Sequence, residues 1–484
     1  MRRYERIAED ISSLIRRGVL PVGERAPSAR AISLSHGVSL GTALRAYELL
    51  VDRGFIEAMP RSGYYVSSLW RATAEPIAAS QPSRASLTVG AHPIVFELFD
   101  AARDGTIVPF GSPFISPDLF PLERLARCLR VQAGTQVRPN WIEDLPPGNG
   151  ELREYIGTRY AHAGAVVSPD EILLTNGGIE ALYLALRAAC SHGDLVAIES
   201  PAFYGCMQAL EVLGLRAVEV PTHPQHGINI GALADIIRRK PVRACWLMPT
   251  FHNPTGALMP DANKRELARV LARHQIALIE DAAYEELYFG EHKPKPVKAY
   301  DTKGLVLHCG SFSKNLSPGY RLGWLAAGRY AQDACRIKTA ITIATCFPVQ
   351  EAVALYLQQF SYERHLRVLR KALQERQSTM LQSVQRHLPS NCRITRPQGG
   401  YCFWVELPEY VDAVKLYRDA LASGVSVAPG PIFSVRGEFT HCIRLNCSYP
   451  WNAAMESAMQ TLGELVARCS KSQGVVRQTR PAAA

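Results

Sequence analysis

Residues 311–323 read SFSKNLSPGYRLG, placing Lys314 between Ser311 and Arg321 with the turn formers Pro318 and Gly319 inside the interval. The stretch follows an apolar run, LVLHCGS (305–311), and the same rhythm repeats upstream. EILLT (171–175), DLVAIES (194–200), RACWLMP (243–249) and IALIED (276–281) are each followed by a loop or a helical pattern. Short apolar strands that alternate with longer helical segments predict a mostly parallel sheet covered by helices. In such sheets ligands sit beyond the carboxyl ends of the strands, so the residues just after these runs are where chemistry belongs.

Those residues are of the right kinds. After EILLT comes Asn176-Gly177-Gly178-Ile179 at the start of a helix, where free backbone N–H groups and the helix dipole can hold a phosphate. After RACWLMP comes TFHNPTG, with Asn253 ahead of a turn set by Pro254 and Gly256. Asp281 ends IALIED, with Tyr284 close behind, and ESPAFYG carries Phe203. Near the C-terminus, HCIRLNCSYP carries Arg444. Taken singly, these are a turn residue, a helix cap, core aromatics and surface charges; their joint order gives them a second meaning.

The N-terminal segment follows a different pattern. YERIAEDISSLIRR (4–17) spaces Ile7, Ile11, Leu14 and Ile15 as one face of a helix that ends near Gly18 and Pro21. A second helix is predicted from an N-cap at Ser28 to about His36-Gly37, and a third from an N-cap at Ser39 to Gly54, with Leu44, Tyr47 and Leu50 facing the other two. Phe55–Ala58, a turn at Pro60–Gly63 and Tyr64–Val66 make a hairpin. Three helices and a hairpin describe a winged helix-turn-helix, whose third helix enters the major groove of DNA.

This segment resembles the GntR family in the patterns Y-x-x-I-A-x-x-I, P-S-x-R, V-S-x-x-T and S-G-Y-Y-V. The resemblance implies DNA contacts from Arg30, Ser39 and Thr42 and from the wing at Arg61, Ser62 and Gly63. Two positions depart from it: Leu40 stands where the family often has arginine, and Ala26 where it usually has leucine. The large C-terminal segment, with N-P-T-G, D-x-x-Y and S-x-S-K-x-x-x-P-G-x-R-x-G, resembles the fold-type I aminotransferases of class I/II, which use pyridoxal 5'-phosphate (PLP). By that resemblance Lys314 carries the cofactor aldehyde, Asp281 faces its ring nitrogen, and Asn253 and Tyr284 address its phenolic oxygen. Ser311, Arg321 and the amides of Gly178 and Ile179 bind its phosphate, Phe203 stacks on its ring, and Arg444 grips the α-carboxylate of an amino acid. Both halves in this order resemble the MocR branch of the GntR family, LPPGNGELREYIGTRYA with Gly148, Leu152 and Arg153 included. Glu143 stands where many aminotransferases have a tyrosine that reaches the neighbouring subunit's phosphate.

The expected organisation is a winged helix over residues 1–68, a linker rich in Ala, Ser and Pro over 69–92, a PLP-binding domain over 93–470 with a smaller α+β C-terminal subdomain, and a disordered tail over 471–484. With 484 residues, 47% hydrophobic and 20% charged, the chain has material for more than one core. Its net charge of +10 permits attraction to phosphate backbones. Twelve cysteines without a C-x-x-C pair, no apolar run long enough to span a membrane and no secretory leader point to a cytoplasmic protein. The expected function is a homodimeric PLP-dependent transcription regulator that binds double-stranded DNA and senses an amino acid or amine. Two alternatives are a working aminotransferase with an accessory DNA-binding module, and a regulator whose large domain has lost PLP and only dimerises.

Overall fold

The computed structural model describes residues 3–16, 19–21, 23–52, 55–59, 62–67, 77–83, 85–90, 92–134 and 145–478. Gly18, Gly54, Pro60, Arg61 and Glu143, named above, lie outside them. The chain divides into two compact units: residues 1–76 with 377–393 and 451–484, and residues 77–376 with 394–450.

In the first unit, helices α1 (Arg3–Arg16), α2 (Ala29–Ser35) and α3 (Leu40–Asp52) precede a hairpin of β1 (Ile56–Met59) and β2 (Gly63–Val66). Helix α2 is capped by the Ser28 hydroxyl, which accepts from the Ala31 amide at 3.1 Å; α3 is preceded by Ser39, which accepts from the Thr42 amide at 3.2 Å. Each cap satisfies a backbone donor that the first helical turn leaves open. The core gathers Ile7, Ile11 and Ile15 from α1, Ile32 from α2, and Ala43, Ala46, Tyr47 and Leu50 from α3. Leu44 corrects the expectation: its side chain is 39% exposed, and the small Ala43 takes the inward position that pairs with Tyr47 at i, i+4. Glu456 draws the two later segments of this unit together, accepting from Ser383, Arg386, His387 and Trp451 at 2.7–3.0 Å.

The second unit is built on a nine-stranded mixed sheet. Its strands are β3 (Leu87–Thr88), β4 (Ile172–Thr175), β5 (Leu195–Ser200), β6 (Arg216–His223), β7 (Gly227–Ile228), β8 (Val242–Leu247), β9 (Ala277–Asp281), β10 (Val306–Ser311) and β11 (Gly323–Ala326), in the order β3-β6-β5-β8-β9-β10-β11-β4 with β7 paired to β6. The five strands from β6 to β10 are parallel. All five apolar runs singled out in the sequence are strands of this sheet. Strand β11 was not among them; it runs antiparallel between β10 and β4, and its register sets Gly323 beside both Ser311 and Thr175. A Cβ on Gly323 would lie 2.7 Å from the Gly177 carbonyl carbon, so only glycine lets the three segments meet.

A smaller antiparallel sheet pairs Cys402–Glu406 with Cys442–Asn446 and the latter with Ala428–Pro429, with helix Ala413–Ala422 nearby in sequence. Part of the stretch expected as a linker is folded onto the large sheet: β3 pairs with β6, and the Ser80 amide donates to the Thr222 carbonyl at 3.1 Å. Among the described residues no helix is long and apolar enough to cross a membrane.

Candidate functional site

The carboxyl ends of the parallel strands gather one cluster of polar groups. At its rim, helix Gly178–Ala189 starts from Gly177, whose φ of 86° suits glycine. A Cβ there would lie 2.4 Å from an Arg321 guanidinium nitrogen, so the absent side chain is what admits the arginine. Arg321 is exposed and donates to the Ser313 hydroxyl at 3.3 Å and the Asn176 carbonyl at 3.2 Å. The Ser311 hydroxyl accepts from the Ser313 amide at 3.0 Å, and a Cβ on Gly178 would stand 3.3 Å from that of Ser311. Ile179 turns its side chain outward, 45% exposed, leaving its amide as its contribution to the rim. Free N–H groups, a guanidinium and hydroxyls around one helix start make an anion cradle.

Below the cradle lies Lys314. Its Nζ donates to the Pro113 carbonyl at 2.9 Å and stands 5.7 Å from the ring centres of Phe114 and Tyr401. Burial, reinforced by the charges of Arg444 and Arg321, lowers its pKa to about 8. Among the described residues Lys264, Lys298 and Lys338 are more deeply buried, and all are spoken for. Lys264 donates to the Thr250 hydroxyl and the Lys295 carbonyl, Lys338 to Glu180 and Thr342, and Lys298 to the Val306 carbonyl beside Glu171 and Asp301. Lys314 combines a depressed pKa with a single neutral acceptor, the condition of a reactive amine.

Asp281 closes β9, where burial pushes its carboxyl up to about 6 against the Ala283 amide and the nearby Lys314. Asn253 is buried and donates to the Tyr284 hydroxyl at 3.1 Å, while its side-chain oxygen has no partner. Tyr401 extends that chain, with its hydroxyl 3.2 Å from Tyr284 and donating to the Pro113 carbonyl at 2.8 Å. Phe203 is half-buried; its ring packs over Gly205 and lies 4.7 Å from that of Tyr204, and burial, with Asp281 and Glu199 nearby, raises the thiol of Cys206 on the same turn.

Arg444 enters from the small sheet and is fully buried. One guanidinium nitrogen donates to the carbonyls of Gly111 and Ser112, but Nε and the other terminal nitrogen have no partner. Buried donors left open are costly, by about 1–3 kcal/mol each, unless a ligand completes them. The arrangement fits a carboxylate, which takes two parallel N–H bonds from one guanidinium. Behind Asp281, Glu199 and His252 lie 3.3 Å apart without forming an ion pair: burial pushes the carboxyl up to about 8 and the imidazole down to about 3, leaving both neutral.

The residue set fits pyridoxal phosphate on three observations: the anion cradle at Gly178, the unpartnered Asn253 oxygen in the buried floor, and a weakly basic lysine beside a buried aspartate. The sequence reading missed Tyr401, the Gly111–Pro113 carbonyls and the Glu199–His252 pair. A Gly399-Gly400 pair ahead of Tyr401 was the one visible signal.

On the first unit, Arg30 is exposed on α2, and Ser39 and Thr42 sit at the start of α3 with their hydroxyl oxygens 2.9 Å apart. In the hairpin turn, the Ser62 hydroxyl pairs with that of Tyr65 at 2.7 Å, and Gly63 has a φ of 104° with the Arg25 guanidinium against it.

Comparison with known proteins gives this geometry a lineage. Residues 3–66 match the model for bacterial regulatory proteins of the gntR family, and residues 146–462 match that for aminotransferase class I and II. The HTH-type transcriptional regulator YdcR of Escherichia coli K12 is 42% identical over 96% of this chain and 99% of its own. The chain is a MocR-type member of the GntR family. Its aminotransferase-like part is shared with enzymes. A 2-aminoadipate transaminase of Thermus thermophilus is 32% identical over 72% of this chain and 87% of its own length. The crystal structure of LysN, an α-aminoadipate aminotransferase from the same species complexed with N-(5'-phosphopyridoxyl)-L-leucine, superposes with a TM-score of 0.71 at 28% identity, covering 78% of this chain and 96% of that one. The MocR-type chain thus carries both matches in one polypeptide.

Proposed function

We infer that this MocR-type protein is a transcription regulator that binds double-stranded DNA through its winged helix and senses an amino acid or amine at the PLP site of its second unit. One observation carries the ligand class: two nitrogens of a fully buried guanidinium, on Arg444, have no hydrogen-bond partner, and its charge acts on Lys314.

PLP, when bound, supplies an electrophilic carbon that condenses with amines and a ring that accepts electron density. The chain's own residues account for the rest. Arg321, Ser311 and the first amides of helix Gly178–Ala189 neutralise and orient a phosphate. Lys314, with a pKa near 8, offers a free amine in a useful fraction of molecules at neutral pH and can carry a proton between ligand atoms. Asp281, ionised above about pH 6, favours a proton on a facing ring nitrogen. Asn253 and Tyr284 address an oxygen beside the reacting carbon, and Phe203 offers a stacking face. Arg444 selects ligands with a carboxylate.

Regulation requires that ligand binding change DNA affinity, and linkage requires the reverse coupling to be equal. By analogy with paired half-sites, a homodimer presenting two winged helices is the working form, and the cytoplasm is its place. The test is titration of the purified, PLP-loaded protein with the twenty amino acids against genomic DNA fragments. A change in DNA affinity with at least one amino acid is expected; protein that binds no fragment specifically, with or without PLP, overturns the reading.

A second reading, a working transaminase, is favoured by the same intact set of Lys314, Asp281 and Arg444. Multiple turnovers of amino acid with a 2-oxo acid would support it, whereas binding that changes the cofactor spectrum without turnover supports a sensor.

A further inference from the structure

The exposed face of α3 carries two leucines beside the charged Arg45 and Glu48, where DNA-reading helices usually place polar side chains. Leu40 is 41% and Leu44 39% exposed, one helical turn apart, and Gly41 between them is open, with only the Ser39 hydroxyl as near as 3.9 Å to a Cβ built there. Three of the polar side chains around them are engaged within the unit. The hydroxyls of Ser39 and Thr42 pair with each other at 2.9 Å, and the Arg45 guanidinium sits 5.0 Å from the centre of the Tyr4 ring of α1. The inward face is already filled by Ala43, Ala46, Tyr47 and Leu50, so packing within the unit does not explain the two leucines.

We propose that Leu40 and Leu44 read thymine methyl groups in the major groove, so that this regulator's half-site is specified by thymines rather than by guanines. This rests on the DNA-binding role inferred above. The C5-methyl of thymine is the apolar feature that base edges present in the major groove, and an arginine or asparagine is what guanine or adenine would call for. Four residues of helix advance about 6 Å, on the order of two base steps. The two side chains therefore address methyls on base pairs one or two steps apart, and the bare Cα of Gly41 lets the helix approach closely.

The test uses the full-length, PLP-loaded protein and a random-sequence duplex pool. Selected duplexes should share thymines one or two steps apart. Resynthesis with deoxyuridine, which lacks only the methyl, should weaken binding roughly fourfold per contacted thymine. Leu44→Ala should blunt that sensitivity, and Leu40→Arg should keep binding but move the selected base towards guanine. Equal binding of thymidine and deoxyuridine duplexes overturns the proposal while leaving DNA binding intact. If Leu40→Arg instead changes the protein's mass in solution with deoxyuridine still tolerated, the leucines cover a protein surface and the proposal fails. Should the wild-type protein enrich no sequence at all, the DNA-binding reading itself has failed.

Discussion

In the second unit, the charges around Glu285 and Glu286 are paired with one another, whereas those around Lys314 and Arg444 face groups the chain does not supply. Arg159 holds Glu286 at 2.8 Å and Glu363 at 2.7 Å, and Lys293 holds Glu286 at 2.8 Å and Glu285 at 3.2 Å. His308 stands 3.4 Å from Glu285 and 2.6 Å from the Tyr160 hydroxyl, which also accepts from Trp324. Burial alone would raise both carboxyls, yet Lys293 reverses the direction for each, with His308 acting on Glu285 and Arg159 on Glu286. In the other cluster Asp281 stays raised, Lys314 stays lowered, and atoms of Asn253 and Arg444 stay without partners. Buried charge that closes on itself supports the fold; buried charge left open awaits a ligand.

The comparison breaks most visibly at Lys314. Replacing it with alanine should abolish retention of the cofactor's visible absorbance through gel filtration, with the thermal unfolding midpoint of the cofactor-free protein within a few degrees of wild type. A variant that stays yellow would move the reactive amine elsewhere. Next comes Arg444→Met, which removes donors held by two backbone carbonyls and close to the Tyr204 hydroxyl. Affinity for amino acids, read from the spectral change, should fall by roughly 30-fold or more, consistent with about 2–5 kcal/mol for truncating a buried charge pair. Affinity for amines without a carboxylate should hardly change.

Glu286→Gln should do the opposite. Leaving Arg159 and Lys293 without a full counter-charge costs about 3–5 kcal/mol of stability, measured in urea, while amino-acid affinity stays within a few-fold of wild type. The pH dependence has a definite sign. Both carboxyls are depressed in the folded protein, so their stabilisation is complete above the unfolded carboxylate pKa, about 4.3, and is lost as the pH falls through the lower folded value. Glu286→Gln should flatten part of that acid limb. If it instead abolished ligand binding without loss of stability, the division between closed and open clusters would be wrong.

What the sequence disclosed follows the same division. Lys314, Asp281, Asn253 and Arg321, the residues proposed to meet PLP, stood out in the sequence because each sits just past a strand or on a glycine-marked turn in a motif of fixed order. The carbonyls of Gly111, Ser112 and Pro113 were not legible, since any residue has a carbonyl, and these reach Arg444 and Lys314 across some 200 to 330 positions of chain. Glu199 and His252 read as ordinary charges until burial made them neutral. On α3, hydrophobicity pointed Leu44 inward, but Ala43 and Tyr47 already fill the inward positions, and the turn of 3.6 residues leaves Leu44 outside. The antiparallel β11 was hidden because Gly323 and Ala326 leave only Trp324 and Leu325 as bulky apolar residues in GWLA, against the three of ILLT in β4.

The finest test concerns why Lys314 is reactive. Only the neutral amine condenses with an aldehyde, so with a pKa near 8 the rate of cofactor uptake by the stripped protein should rise about tenfold between pH 7 and pH 9 and then level off. The positive charge of Arg444 helps hold that pKa down, since it disfavours a second cation nearby. Arg444→Met should therefore shift the midpoint of the profile upward, towards the usual lysine range, although the plateau rate at high pH stays as in wild type. A midpoint that did not move would mean that burial and Arg321 tune the amine without Arg444. The open guanidinium would then serve ligand capture and nothing else.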